Sequence, residues 1–286
     1  MLSRGVQYML WATFVFALMN VAVKFVDRIP AIEVIFFRSI VSLIMSAVAL
    51  KTQGVYLFGN NKRILIIRGI AGSLGLILFF STLQQIPLAS AVTLMFLSPI
   101  FTAILGIWLV KEPVKWLQWV FFALSFGGIL MIQGFDARVS LLLALMGIGG
   151  AFFSGVAYNM IRKLKNSEHP LVIVFYFPLV SLPVTLVYMA FDWVTPVGEE
   201  WLVLILVGIL TQIAQYFLTK AYQAEEISKV ANIQYIGIIY ALGFGWVLFD
   251  ETFNFETYMG MALVLAGVIL NVAYKQHLQK RKQTGS

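Results

Sequence analysis

Apolar stretches of membrane-spanning length recur along the whole chain and restrict its fold more than any other feature. Crossing the hydrocarbon core of a bilayer takes about 20 residues of helix. Windows of that length divide the 286 residues into ten apolar spans: 6–26, 32–50, 64–84, 89–110, 115–133, 140–161, 170–191, 201–222, 228–249 and 255–274. With 60% hydrophobic and 12% charged residues, the chain is too apolar for a soluble domain. The sequence therefore predicts a multi-pass protein of the lipid bilayer.

The spans are expected to be helices. Transmembrane strands alternate apolar and polar residues over about 10 positions, whereas LILFFSTL (76–83) and VFFALSFGGILMI (120–132) show no such alternation. Only Arg4 precedes the first span and no small-residue cleavage site follows it, so we expect this helix to be retained in the protein. The predicted fold class is an all-α integral membrane protein with ten transmembrane helices.

The basic residues predict an orientation. If the N-terminus is inside, sixteen of the 20 Lys and Arg residues, Arg68 among them, fall on the inner side, and only Arg28 and Arg138 fall outside. Lys24 and Arg38 remain within spans. The positive-inside rule then predicts that both termini are cytoplasmic, and it explains the net charge of +7 without a nucleic-acid partner. The chain has no cysteine, which is compatible with an inner-membrane location.

One phrase occurs twice in the chain. GIWLVKEPV (106–114) and GWVLFDETF (245–253) each place a Glu six residues after a Gly, at the end of a span. The offset of 139 residues continues without a gap and pairs Gly69 with Gly208, Ile70 with Ile209, Gln84 with Gln223, Leu109 with Leu248, Glu112 with Glu251, Ala123 with Ala262, Leu124 with Leu263 and Gly128 with Gly267. Spans 3–5 therefore correspond to spans 8–10. We predict two five-helix repeats, 1–136 and 137–286.

An odd number of helices in each repeat inserts the second copy upside down. Inverted-topology repeats are the architecture of secondary transporters, because exchanging the packing of the two halves converts an inward-open state into an outward-open one. The sequence therefore predicts a carrier with a cavity near the midplane, between spans 1–4 and 6–9.

The arrangement resembles a known family. The five-plus-five layout, FFR in span 2 (36–38), Ser98-Pro99 in span 4 and the Gly…Leu…Glu endings of spans 4 and 9 are similar to the EamA group of the drug/metabolite transporter superfamily. The resemblance implies a transporter of a small-molecule substrate such as an amino acid, nucleotide derivative or organic acid. In one departure, Pro99 corresponds to Ile238 rather than to a second proline.

Arg38 is the foremost candidate for substrate binding. It lies seven residues into span 2, about 10 Å below the outer surface. An ionisable side chain at depth needs a partner, water or a function. A guanidinium there can clamp a substrate carboxylate or phosphate, or it can bond helix-end carbonyls or pair with a carboxylate of the protein.

Lys24 and Asn20 form a second candidate pair, one turn apart on one face of span 1. For Lys24, an ion pair with Asp27 or Glu33 is the competing interpretation. Further polar residues recur at similar depths and predict either a cavity wall or hydrogen bonds between helices; the candidates are Ser98, Tyr158, Asn159, Gln212, Gln215, Gln234 and Tyr235.

Other functions lack their motifs. The sequence has no phosphate-binding loop for ATP, and its two histidines, His169 and His277, lie outside the spans. We therefore expect neither a cofactor nor a metal site, and no enzyme activity. The leading hypothesis is a carrier of an organic anion or an amino-acid-like metabolite. Carriers of nucleobases or cationic drugs, a non-transporting binding protein or enzyme, and a pore are the alternatives.

Overall fold

The computed structural model describes residues 3–109, 114–164, 166–190, 193–224, 234 and 236–284, and the regular structure among them is helical throughout. The helices are α1 Arg4–Phe25, α2 Ala31–Thr52, α3 Lys62–Gln85, α4 Leu88–Met95, α5 Ser98–Leu109, α6 Trp116–Phe135, α7 Leu141–Leu164, α8 Pro170–Met189, α9 Glu200–Ala224, α10 Ile236–Phe249 and α11 Phe255–Thr284. Helices cover most of the described residues of the predicted spans, and the last helix extends ten residues beyond its predicted end at 274. Residues 228–233 and 235 of the predicted span 228–249 lie outside the described residues.

Seven helical segments in the described part of the chain are long and apolar enough to cross a membrane, and α4 with α5 counts as one of them. Shorter apolar helices cover Trp116–Ile132, Ile236–Phe249 and Phe255–Asn271. Large apolar side chains on the outside of the bundle are widely exposed, as with Leu130, Leu142 and Leu202 at 68–70%. Such a surface is suited to lipid rather than water, and the chain is a multi-pass membrane protein.

Span 4 is broken, although the sequence predicted a single helix over 89–110. Pro99 has no backbone N–H, and its ring clashes with the carbonyl four residues earlier, which belongs to Met95. The helix accordingly ends at Met95 and begins again at Ser98. The backbone amides of Leu97 and Ile100 bridge the break by donating to the carbonyls of Leu94 and Leu97.

The helices pack mainly between the first and second halves of the chain. The closest pairs are α1 with α9, α2 with α8, α3 with α7, and α6 with α11. Buried apolar residues of α1–α4 form the largest cluster with residues of α6, α9 and α11. The bundle is thus held together by contacts that join the two halves.

Glycine allows several of these helices to approach closely. A Cβ atom at Gly69 of α3 would lie 2.7 Å from Cβ of Val180 on α8, and one at Gly208 of α9 would lie 2.5 Å from Cβ of Val41 on α2. In the same way, a Cβ at Gly128 of α6 would lie 2.5 Å from the carbonyl oxygen of Gly260 on α11. No larger residue fits at these crossings without moving a helix.

Candidate functional site

A cavity of about 180 Å³ lies inside the bundle, where helices of both halves meet. Its apolar wall includes Phe16, Met95, Phe96 and Phe177. Its polar residues are Thr13, Asn20, Arg38, Arg68, Ser98, Ser154, Tyr158, Gln215 and Gln234. An apolar pocket with a few convergent polar groups is the usual form of a small-molecule site.

Arg38 reaches the cavity from α2 and is only 3% exposed. Its Nε donates a hydrogen bond of 3.0 Å to Oγ1 of Thr211 on α9. Its guanidinium carbon lies 4.8 Å from the centre of the Phe177 ring on α8. Among the described residues, its Nη1 has no hydrogen-bond partner. The protein therefore fixes one edge of this guanidinium and leaves hydrogen-bonding capacity for another molecule.

Arg68 reaches the same cavity from α3, which the sequence did not predict. The charge count placed it on the inner side of the membrane, but it is 4% exposed and contacts the same Phe177 ring at 4.4 Å. It lies six residues after Lys62, where α3 begins, and is thus about 9 Å along the helix. Neither its Nε nor its Nη1 has a hydrogen-bond partner in the described part of the chain.

The two arginines make the cavity strongly positive. Their guanidinium carbons lie no farther apart than the sum of their distances to the shared ring, about 9.2 Å. At that largest possible separation and an effective dielectric constant of about 20, two unit charges repel each other by about 2 kcal/mol, and a shorter separation would increase the repulsion. No Asp or Glu occurs among the described lining residues, and neither arginine forms an ion pair with a described residue. An anion in the cavity would relieve this repulsion.

Six residues that were predicted as a binding site come together here: Asn20, Arg38, Ser98, Tyr158, Gln215 and Gln234 all line the cavity. Asn20 is 9% exposed, and its Oδ1 accepts no hydrogen bond from any residue that the structure describes. The cavity therefore offers a hydrogen-bond acceptor beside the two positive groups.

Three other predicted site residues bond to protein groups and do not line the cavity. The Nδ2 of Asn159 donates to the carbonyl oxygens of Thr102 and Gly155. The Oε1 of Gln212 accepts a hydrogen bond from Ser46. Lys24 is described below. Tyr235 lies outside the described residues.

Lys24 forms a buried ion pair, but with a partner other than the two expected. Asp27 and Glu33 were the predicted carboxylates; instead, Nζ lies 3.0 Å from Oε1 of Glu251. Lys24 also donates to the carbonyl oxygen of Ile86, and both oxygens of Glu251 accept from the backbone N–H of Leu88, at the start of α4. Glu251 is only 8% exposed. The pair joins α1 and α4 to the end of α10.

Phe177 and Gly72 are site residues that sequence reasoning did not single out. A Cβ atom at Gly72 would lie 2.9 Å from the Phe177 ring and 3.4 Å from Nη1 of Arg68. Glycine at this position therefore leaves room for the ring and the guanidinium together. The 139-residue offset was the available signal, because it pairs Arg38 with Phe177.

The structure thus defines a helical membrane protein with an internal, positively charged cavity. The sequence profile of the EamA-like transporter family matches the chain twice, at residues 3–134 and 141–273. The chain belongs to this family, which confirms the resemblance drawn from its sequence.

Individual relatives cover nearly the whole chain. The pseudopaline exporter CntI of Pseudomonas aeruginosa is 31% identical, over 94% of this chain and 96% of its own length. A riboflavin transporter of Vibrio cholerae is 25% identical, over 98% of this chain and 96% of its own. A protein of known crystal structure superposes with a TM-score of 0.70 over 96% of this chain and 98% of its own at 16% identity, which establishes the shared fold alone.

Proposed function

We propose that this protein is a secondary-active carrier, not an enzyme, that moves a small metabolite across the cytoplasmic membrane by alternating access. The cargo is an organic anion or an amino-acid-like metabolite. Its binding residues are Arg38, Asn20, Ser98, Tyr158, Gln215 and Gln234, to which the geometry adds Arg68. Lys24, Asn159 and Gln212 act by positioning the helices around the cavity.

The observation that carries the proposal is the pair of buried arginines, which have no carboxylate partner among the described residues. Burying an unpaired charge is costly, so such groups in a membrane protein mark a substrate or ion pathway. Guanidinium groups match the planar geometry of carboxylates, with two parallel hydrogen bonds for each pair. An anionic cargo therefore supplies the carboxylate that the described residues do not place beside these arginines.

Alternating access is supported by contacts that are related by the repeat offset. The close approach of Gly69 to Val180 has its counterpart in the close approach of Gly208 to Val41. Gly208 lies 139 residues after Gly69, and Val180 lies 139 residues after Val41. The helix pair α1 with α9 likewise corresponds to α7 with α3. We infer two inverted five-helix repeats, 1–136 and 137–286, that give ten transmembrane spans.

The repeat relation also places Arg38 against its own counterpart, Phe177. Counterpart residues of an inverted repeat meet only near the axis that relates the two halves. A site on that axis has the same position relative to either half, so it can face the inside and the outside in turn. This location favours the cavity over any peripheral groove as the cargo site.

The orientation follows from charge. With Arg68 removed from the inner count, fifteen basic residues remain on one side against two on the other. The positive-inside rule then puts both termini in the cytoplasm of a cell whose cytoplasmic membrane holds the protein.

A neutral cargo is the second candidate. The riboflavin transporter that matches this chain at 25% identity is named for an uncharged ring system, and the amides of Asn20, Gln215 and Gln234 can hydrogen-bond such a molecule. In that case Arg38 would stabilise the bundle through Thr211 and Phe177 instead of binding cargo.

Solute flux in proteoliposomes tests the proposal. We expect the wild type to exchange at least one radiolabelled carboxylate or amino acid across the vesicle membrane, and Arg38→Ala to lose this exchange. Arg63→Ala is the control, because Arg63 is an exposed arginine on α3 outside the cavity. A ligand at 100 times its dissociation constant should also stabilise the purified protein by about 2.7 kcal/mol. Exchange of uncharged compounds alone, unaffected by Arg38→Ala, would establish the second candidate; flux no greater than in empty vesicles for every compound would reject the carrier.

A further inference from the structure

We infer that the cargo carries two carboxylate groups, one for Arg38 and one for Arg68. This inference rests on the proposed function, because it takes the cavity as the cargo site. It goes further by stating the charge and the chemical class of the cargo, a small dicarboxylate.

Hydrogen-bonding capacity is the first argument. Each guanidinium has five N–H donors in a fixed planar fork. Thr211 takes one donor of Arg38, whereas Nη1 of Arg38 and both Nε and Nη1 of Arg68 have no partner among the described residues. One carboxylate can pair with only one fork. A cargo with a single carboxylate would leave the second guanidinium without a carboxylate partner among the described residues.

Charge balance is the second argument. The described lining residues include two arginines and no Asp or Glu. A monoanion would leave one positive charge buried, whereas a dicarboxylate neutralises the cavity. An uncompensated charge inside a membrane protein is unfavourable. The two halves therefore close more favourably around a dicarboxylate, which neutralises both arginines, than around a monoanion.

The repeat relation provides the third argument. Arg38 has Phe177 as its counterpart, and Arg68 has Val207, a fully buried apolar residue. The fold therefore does not require a charged residue at the position of Arg68, because the second repeat has the buried Val207 at the equivalent position. Both arginines nevertheless contact the same Phe177 ring, at 4.8 and 4.4 Å. The second arginine is an addition to one half, directed at the same small space as the first.

The size of the cavity limits the cargo. Sites for drug-sized ligands have volumes of about 300–1,000 Å³, and this cavity has about 180 Å³. The shared ring also holds the two guanidinium carbons within about 9.2 Å of each other. Two carboxylates joined by a short carbon chain meet both conditions.

Binding of matched acids to the full-length purified protein tests the inference. Succinate, glutarate and adipate are compared by calorimetry with butyrate, valerate and caproate, which have the same chain lengths and one carboxylate fewer. A hydrogen bond to a charged group contributes about 1.5–3 kcal/mol, so we expect the best dicarboxylate to bind roughly 10- to 100-fold more tightly than its monocarboxylate.

Three variants test whether Arg68 binds the second carboxylate of the cargo. Arg68→Gln should weaken dicarboxylate binding roughly 10- to 100-fold and leave monocarboxylate binding within about 3-fold of the wild type. Arg63→Gln removes the same charge from an exposed site on the same helix and should change neither. Arg68→Lys keeps the charge without the fork and should recover part of the affinity, which separates loss of binding from loss of folding.

The outcomes also separate this inference from the proposed function. Equal binding of monocarboxylates and dicarboxylates, or an equal loss of both in Arg68→Gln, would overturn the dicarboxylate and leave an anion carrier. Transport of a monocarboxylate of the flux panel, without binding of any dicarboxylate, would also overturn the dicarboxylate and leave an anion carrier. Failure of every compound to bind and to be transported would reject both.

Discussion

At the scale of single residues, the charges inside the bundle fall into two groups with different partners. Arg38 and Arg68 share an aromatic ring and have no described carboxylate partner. Lys24 and Glu251 neutralise each other and also bond to backbone groups of α4 and of the turn before it. We propose that the first group binds the cargo, whereas the second group links three helices.

Replacing Lys24 with methionine should destabilise the protein strongly. The substitution keeps the apolar stem and removes the cation 3.0 Å from a Glu251 carboxylate that is only 8% exposed. Loss of one partner from a buried pair costs about 3 kcal/mol or more. We expect the melting temperature of the purified protein to fall by several degrees. Lys24→Met/Glu251→Gln should recover part of the loss, because neither position of the pair then carries a charge.

The exposed pair between Arg28 and Glu200 is the control for Lys24. The side chain of Arg28 is 47% exposed, and exposed ion pairs contribute little to stability. Arg28→Met should therefore lower the melting temperature by much less than Lys24→Met. Equal shifts in the two variants would mean that the buried pair is no more important to stability than the surface pair.

At the scale of helices, glycines at counterpart positions set the spacing of the bundle. Ala at Gly69 would bring Cβ to 2.7 Å from Cβ of Val180, and Ala at Gly208 would bring it to 2.5 Å from Cβ of Val41. Overpacking of this kind costs about 1–3 kcal/mol. We expect Gly69→Ala and Gly208→Ala to lower thermal stability to a similar degree, in agreement with their related positions.

Gly243→Ala is the matched control on α10. A Cβ atom there would have no neighbour within 4 Å, and alanine is favoured over glycine in a helix by up to about 1 kcal/mol. This variant should be neutral or slightly stabilised. A loss of stability in Gly208→Ala but none in Gly69→Ala, or the reverse, would contradict the equivalence of the two crossings.

The helices were largely predictable from sequence, and the contacts at depth were less so. An apolar span of about 20 residues, such as 6–26, forms a helix whatever its neighbours are. Span 4 was predicted as a single helix, and the break in it is explained by Pro99. Arg68 was assigned to the wrong environment because it follows Lys62 and Arg63, and only the packing of α3 against α8 determines which way its side chain points. The partner of Lys24 was missed because Glu251 lies more than two hundred residues away in the chain.

At the scale of the whole molecule, we propose that the cavity is a cargo site that faces the two sides of the membrane in turn, because it lies where counterpart residues of the two EamA repeats meet. Family membership, the symmetric pairing of the helices and two buried arginines without a carboxylate partner among the described residues each support a carrier. A binding protein or an enzyme with the same fold would not need to expose the cavity on both sides.

Cysteine accessibility tests this claim most directly, because the chain has no cysteine of its own. Ser154→Cys places a single thiol in the cavity wall, and Ser73→Cys places one in the buried contact of α3 with Ser181 of α8. A membrane-impermeant thiol reagent is added to one side or the other of sealed, oriented vesicles. We predict that the thiol at position 154 reacts from both sides and is protected by a transported anion, while the thiol at position 73 reacts from neither. Alternating access through this cavity would be contradicted if the thiol at position 154 reacted from one side only and no transported anion changed its rate of reaction.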